Sequence, residues 1–208
     1  MFPQSKIDEI LAFYRTIDRW QEISNYRRLR AAAEGIDNLF YGDSITEVWP
    51  LQEFFPRHRI LNRGIRGDNV YGLYYRLEED VLACRPRRVI MAIGINGIEE
   101  PDNAERIIEL AGRMVDCGLD LCIGSILPLR YPDAWNRFRF QKKICDDNAG
   151  IAAWALRNGV RFIDYHAAMR DESGQLAAGY AQPDGTHLTF AGYCRMAETV
   201  APYLLGGE

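Results

Sequence analysis

The chain has 208 residues, 48% hydrophobic and 26% charged, an ordinary globular composition that excludes a disordered chain. Lys and Arg number 25 against 29 Asp and Glu, and a net charge of −4 excludes a general nucleic-acid binder, which needs a basic excess. The length favours one domain, 1–208.

The first segment predicts a helix: Ile7, Ile10, Leu11, Tyr14 and Ile17 recur at helical spacing, and Ser5 with Asp8 resembles a capping box. A second helix is expected over about Ser24–Glu34, with Gly35 as its end, so that 1–35 forms an N-terminal helical extension. The pattern then changes to short apolar runs. These predict strands at Asn38–Tyr41, Arg59–Leu61, Arg88–Ile93, Leu119–Ile126 and Val160–Ile163. Helices are expected between them: one capped by Asp68, one over Pro101–Asp116, one over about Arg137–Arg157, and a last over Phe190–Leu204. Alternating strands and helices imply βαβ units around a parallel sheet. The fold class is therefore α/β, a three-layer α/β/α flavodoxin-like sandwich with a five-stranded sheet.

Charges run through the N-terminal twenty or so residues, unlike a secretory signal, and no apolar run approaches the roughly 20 residues of a membrane span. Cys84, Cys117, Cys122, Cys145 and Cys194 are odd in number, scattered and without a C-x-x-C, so they read as free thiols, with no metal site expected. A cytoplasmic location follows as the expectation.

In such sheets the ligand sits beyond the carboxyl ends of the strands. Gly42-Asp43-Ser44 follows the first strand, where a serine on a sharp strand-to-helix turn exposes its hydroxyl, although alone it reads equally as a helix cap. Asn62-Arg63-Gly64-Ile65-Arg66-Gly67-Asp68 follows the second and alone reads as an ordinary loop. Gly94-Ile95-Asn96-Gly97 follows the third and alone is an Asx-type turn. Asp184-Gly185-Thr186-His187 precedes the last helix. An acid three residues before a histidine can orient one imidazole nitrogen and leave the other for a nucleophile, yet Pro183-Asp184-Gly185 is also a strong turn signature. Together the four blocks supply a nucleophile, a base with its acid, and oxyanion donors. No G-x-G-x-x-G follows the first strand, which argues against a dinucleotide site.

From about Asp37 to Leu204 the blocks FYGDSIT, NRGIRGD, IGING and DGTHL make the chain resemble the SGNH/GDSL hydrolase superfamily of serine esterases and acylhydrolases. NRGIRGD also resembles the platelet-activating-factor acetylhydrolase-like branch. The resemblance implies the SGNH hydrolase fold, with Ser44 as nucleophile, Asp184 and His187 as acid and base, and an oxyanion hole from Ser44, Gly67 and Asn96. It implies an acyl-enzyme on Ser44, a small-molecule ester as partner, and no cofactor or metal. Gly97 stands where the family usually has aspartate, and Leu188 where it often has proline.

Substrate-pocket candidates are Ile45 and Trp49 just past the nucleophile, Tyr131 and Trp135 after the fourth strand, and Tyr180 before the acid; for the aromatics, packing against the sheet is the competing reading. Arg130, Arg137 and Arg139 either attract an anionic leaving group or pair with acids. His58 and His166 are expected to be structural or solvated, and the N-terminal helices are a candidate homodimer surface. The expected activity is cleavage of short-chain, acetyl esters of small molecules or carbohydrates. The alternatives are a lysophospholipase or acyl thioesterase and, outside the enzymes, a non-catalytic binding module on the same fold.

Overall fold

Short strands that are apolar on both faces send alternate side chains to opposite sides of a sheet, so each side needs its own covering layer. A computed structural model describes the protein apart from residues 1, 18, 30–32, 34, 132–133 and 208, and apart from the side chains of 134–139. Its strands are β1 (Asn38–Gly42), β2 (Ile60–Gly64), β3 (Arg88–Ala92), β4 (Leu121–Gly124) and β5 (Arg161–Ile163). They form one parallel sheet in the order β2-β1-β3-β4-β5, the flavodoxin-like order. Leu39, Tyr41, Val89, Met91, Leu121 and Ile123 enter one buried cluster, while the intervening Phe40, Ile90 and Cys122 enter another.

The first cluster is covered by α1 (Gln4–Thr16), α2 (Trp20–Leu29), α5 (Val70–Asp80), α6 (Asn103–Asp116) and α7 (Ala134–Arg157). The second is covered by α3 (Ser44–Glu47), α4 (Leu51–Phe54), α8 (Tyr165–Met169) and α9 (Phe190–Val200). Among the described residues no helix is long and apolar enough to cross a membrane, and none of the five cysteines is in a disulfide.

Several local expectations need correction. Ser5 lies inside α1, whose N-cap is Pro3 with no capping side chain, and Asp8 instead accepts from Gln4 Nε2 at 2.9 Å. The second helix begins at Trp20, ahead of Ser24, and much of its expected end falls on residues outside the description. Asp68 does not cap α5. Asn69 does, with Oδ1 accepting from the N–H groups of Tyr71 and Gly72 at 3.0 and 3.3 Å.

Asp68 instead turns into the core, to the most consequential polar group there. Arg76, on α5, is fully buried. Its guanidinium donates to Asp68 Oδ2 at 2.8 Å, Asp80 Oδ2 at 2.9 Å, the Arg63 carbonyl at 2.8 Å and the Gly42 carbonyl at 3.0 Å. It also lies over the Tyr41 ring at 4.4 Å. Burial works against the charge, but Tyr41, Asp68 and Asp80 outweigh it and hold the pKa above the ordinary arginine value. The other Asp68 oxygen accepts from the Tyr14 hydroxyl of α1. The N-terminal helix is thus bonded into the core through Tyr14, whose side chain is completely buried along with most of Ile7 and Ile10.

Removing one partner of a buried pair strands the other charge. Arg76→Ala is expected to lower stability by about 3–5 kcal/mol in urea unfolding. A loss below about 1 kcal/mol, typical of an exposed ion pair, would contradict the role assigned to Arg76.

Candidate active site

β1 ends at Gly42, Asp43 caps α3, and Ser44 is the first helical residue. The Asp43 carboxylate accepts from the Ile45 N–H at 3.0 Å. The capping duty that a lone serine might have filled here belongs to Asp43, and the Ser44 hydroxyl is used elsewhere: Ser44 Oγ lies 3.0 Å from His187 Nε2. As the first residue of a helix, Ser44 also has a backbone N–H without an acceptor in its own helix.

His187 reaches Ser44 from the loop before α9. The Asp184 carboxylate shapes that loop, accepting from the N–H groups of Thr186 and His187 at 2.9 Å each, and its second oxygen lies 2.6 Å from His187 Nδ1. Leu188, in place of the family's proline, is 1% exposed in the second core cluster and anchors the loop by burial. Arg130 N donates to the Gly185 carbonyl at 2.8 Å, joining this loop to the one after β4.

Two further elements converge on the serine turn. Ile65–Asp68 is a tight turn closed by Asp68 N to the Ile65 carbonyl at 3.1 Å. Gly67 takes φ +75° at its third position, the left-handed conformation that a type II turn reserves for glycine. A side chain there would also strike Phe13 of α1, 2.6 Å from where a Cβ would sit. Asn96 lies in a 3-10 turn after β3, and its amide donates to the Asp68 carbonyl at 2.7 Å, which leaves its second N–H available. Gly97 has a packing reason: a Cβ would fall 2.6 Å from Asn103 Oδ1. Asn103 in turn donates to the Gly94 carbonyl at 3.2 Å and to Asp147 at 3.0 Å, so it braces the turn that carries Asn96.

The electrostatics are asymmetric. Desolvation pushes the Asp184 carboxyl up, but the His187 ring and the two loop N–H groups overcome it and hold it at about 2. Asp43 goes the other way. Burial raises it to about 7, with the Asp68 charge adding to the rise and the Ile45 N–H and His187 opposing it.

A family model for the GDSL-like lipase/acylhydrolase family matches residues 40–195. The chain belongs to that family. No curated protein matches it. Among solved structures, a GDSL-like lipase from Bacteroides thetaiotaomicron is 27% identical over 87% of this chain and 97% of its own, with a TM-score of 0.73. A candidate platelet activating factor from Streptococcus pneumoniae is 25% identical over 96% of this chain and 98% of its own, with a TM-score of 0.76. An acetyl xylan esterase from Geobacillus stearothermophilus, 21% identical over 81% of this chain and 94% of its own with a TM-score of 0.65, shares the fold. As a GDSL-family enzyme the protein is a hydrolase of the esterase type.

The pocket candidates are placed unequally in this GDSL hydrolase. Ile45 lines a small recess beside the serine turn, together with Asp43, Thr46, Ser125 and several aliphatic residues. Trp49 does not face a pocket: it is 2% exposed and packs against Phe40, Phe54, Phe55 and Tyr193. Tyr131 packs on Phe140 and borders a cleft with Arg130 and Pro183, and Tyr180 is half-buried against the second core cluster. The side chains of Trp135, Arg137 and Arg139 lie outside those described. Arg130 is paired with Asp171 at 2.8 Å. His58 Nδ1 faces the Leu205 carbonyl at 3.1 Å, and His166 is buried with its backbone N–H on Ser125 Oγ at 2.8 Å.

Sequence reading passed over Phe13, Arg76 and Asn103, and it gave no such role to Tyr14 or to Asn62, which joins β2 to α3 through the Thr46 carbonyl at 2.7 Å. Asn62 carried no such signal, because the sequence places it after a strand ending at Leu61, whereas β2 runs on to Gly64 and the Asn62 amide must find partners there.

An acid raised by folding contributes stability that is complete below its unfolded pKa and is lost as pH rises through its folded value. For Asp43 that window closes near 7. Asp43→Asn is therefore expected to gain stability relative to the parent as pH goes from about 5 to about 8, read from urea midpoints. A difference that stays constant across the range contradicts the assignment.

Proposed function

We propose that the protein hydrolyses short-chain esters, chiefly acetyl esters of small molecules or carbohydrates, through an acyl-enzyme on Ser44. The observation that carries the reading is His187 held between the Asp184 carboxylate at 2.6 Å and Ser44 Oγ at 3.0 Å. His187 takes the hydroxyl proton as Oγ attacks the acyl carbonyl and returns it to the leaving alcohol. Asp184 fixes the tautomer that leaves Nε2 facing serine and stabilises the imidazolium. Its low pKa, about 2, keeps it ionised throughout the neutral range.

Three donors serve the oxyanion: the Ser44 N–H at the start of α3, the Gly67 N–H in its turn, and the second N–H of Asn96. Water then attacks the acyl-enzyme with His187 again as base. A short acyl group is supported by the recess beside the serine turn, where Ile45, Ile93, Ile95, Ile126 and Leu127 meet the polar Asp43, Thr46 and Ser125 and whose volume is about 20 Å³, the size of a methyl group or a single water.

Ser44→Ala is expected to abolish hydrolysis of p-nitrophenyl acetate with the fold intact, and undiminished turnover would sink the proposal. Asn96→Ala should lower kcat by about 10²–10³. His187→Ala should be far more damaging than His58→Ala or His166→Ala. In a series of acyl lengths, a steep fall beyond butyrate supports the acetyl reading, whereas activity that rises with length replaces it with a lysophospholipase or thioesterase. A fluorophosphonate that leaves Ser44 unlabelled would make the chain a binding module.

A further inference from the structure

The N-terminal helix lies outside the region matched by the family model, yet it forms a wall of a cleft that reaches Gly67 and Asn96. A cleft of about 350 Å³ opens beside the proposed oxyanion donors: Gly67 and Asn96 lie on one side, and Lys6, Glu9 and Phe13 of α1 on the other. Phe13 is 39% exposed although its ring edge rests on Gly67, so part of an aromatic surface is presented to whatever occupies the cleft. Glu100 completes the rim and bonds Lys6 at 3.1 Å, while Glu9 bonds the same ammonium at 3.2 Å.

Two carboxylates share one ammonium, which leaves this wall with a net negative charge and acceptor oxygens to spare. Arg66, next in sequence to Gly67, faces Glu47 at 3.9 Å, and Glu47 also faces Arg19 at 3.6 Å. An acyl chain has no use for such a wall. A polar alcohol has, because hydroxyl groups donate to carboxylates and the C–H face of a ring packs on an aromatic. A phosphate-bearing alcohol would meet like charge in a confined cleft.

We propose that α1 supplies the subsite for the alcohol part of the ester, with Phe13 as its platform and Glu9 and Glu100 as acceptors, and that it selects neutral hydroxylated rings over anionic leaving groups. The proposal rests on the esterase reading above, and it gives the N-terminal helix a share in specificity as well as in packing.

The test holds the acyl group constant. Acetyl esters of a methyl xyloside, of glycerol phosphate and of ethanol are compared by kcat/KM in the parent, Phe13→Ala and Glu9→Lys proteins. The parent is expected to prefer the xyloside ester to the phosphate ester by at least about tenfold. Phe13→Ala should cost about tenfold more on the xyloside ester than on ethyl acetate, through KM. Glu9→Lys, a change on an exposed position, should move the preference several-fold toward the phosphate ester. Equal losses on both neutral esters would mean that Phe13 acts only through Gly67, and would overturn the subsite, as would a parent enzyme that turns over the phosphate ester best. Fluorophosphonate labelling of the parent separates the two levels: labelling of Ser44 with no alcohol selectivity overturns the subsite alone, and absence of labelling overturns the esterase reading with it.

Discussion

A single buried cation ties together the strand ends on which the site is built. Arg76 bonds the carbonyls of Gly42 and Arg63 and the carboxylate of Asp68. Gly42 is the last residue of β1, two before Ser44, and Arg63 stands near the end of β2, ahead of the turn that carries Gly67. The backbone carbonyl of Asp68 in turn holds the Asn96 amide. The turn that carries Ser44 and the turns that carry Gly67 and Asn96 are therefore referred to one guanidinium, whose planar fork suits several fixed acceptors at once. A lysine would offer the charge without that geometry.

The rest of the site is positioned by a different physics. Asp184 and His187 sit on a partly exposed loop, with side-chain exposures of 50% and 34%, and no buried ion pair holds them. Their loop is fastened by backbone bonds to the Asp184 carboxylate and by the burial of Leu188. A half built on the buried ion pair, carrying Ser44, Gly67 and Asn96, thus meets a loop carrying Asp184 and His187 that is held by backbone bonds, among them Arg130 N to the Gly185 carbonyl and Gln182 N to the His187 carbonyl, both 2.8 Å, and by the burial of Leu188.

Much of this was legible in the sequence because strands with two buried faces leave a plain apolar signature, and a parallel sheet places its site at the strand ends. The juxtaposition of Ser44 with Asp184 and His187 follows from that rule together with the three-residue spacing of acid and base. What escaped has physical reasons. Asp68 sits one residue from the true cap, and both Asp and Asn are good caps, so only the buried arginine two turns on distinguishes them. Trp49 follows a helix of four residues, too short for any periodicity to say which way it faces. Gly97 looked like a defect in a motif, whereas Asn103 occupies the space that a side chain there would need. Arg76 itself falls within a helix of otherwise ordinary polarity, and an inward-facing charge has no sequence signature apart from its partners.

The hydroxyl of Tyr14 beneath Asp68 bears on where this protein begins as a unit. The family match starts at residue 40, within β1, and a boundary drawn there would treat α1 as an accessory. Without Tyr14, a fully buried carboxylate loses one of its donors, and without Phe13 the Gly67 turn loses the ring against which it is packed. The stretch matched by the family model and the packed body are therefore not the same stretch of chain. Tyr14 and Phe13 make α1 structurally continuous with the matched region: a body cut at residue 40 would leave an opening beneath Asp68 and another beside Gly67.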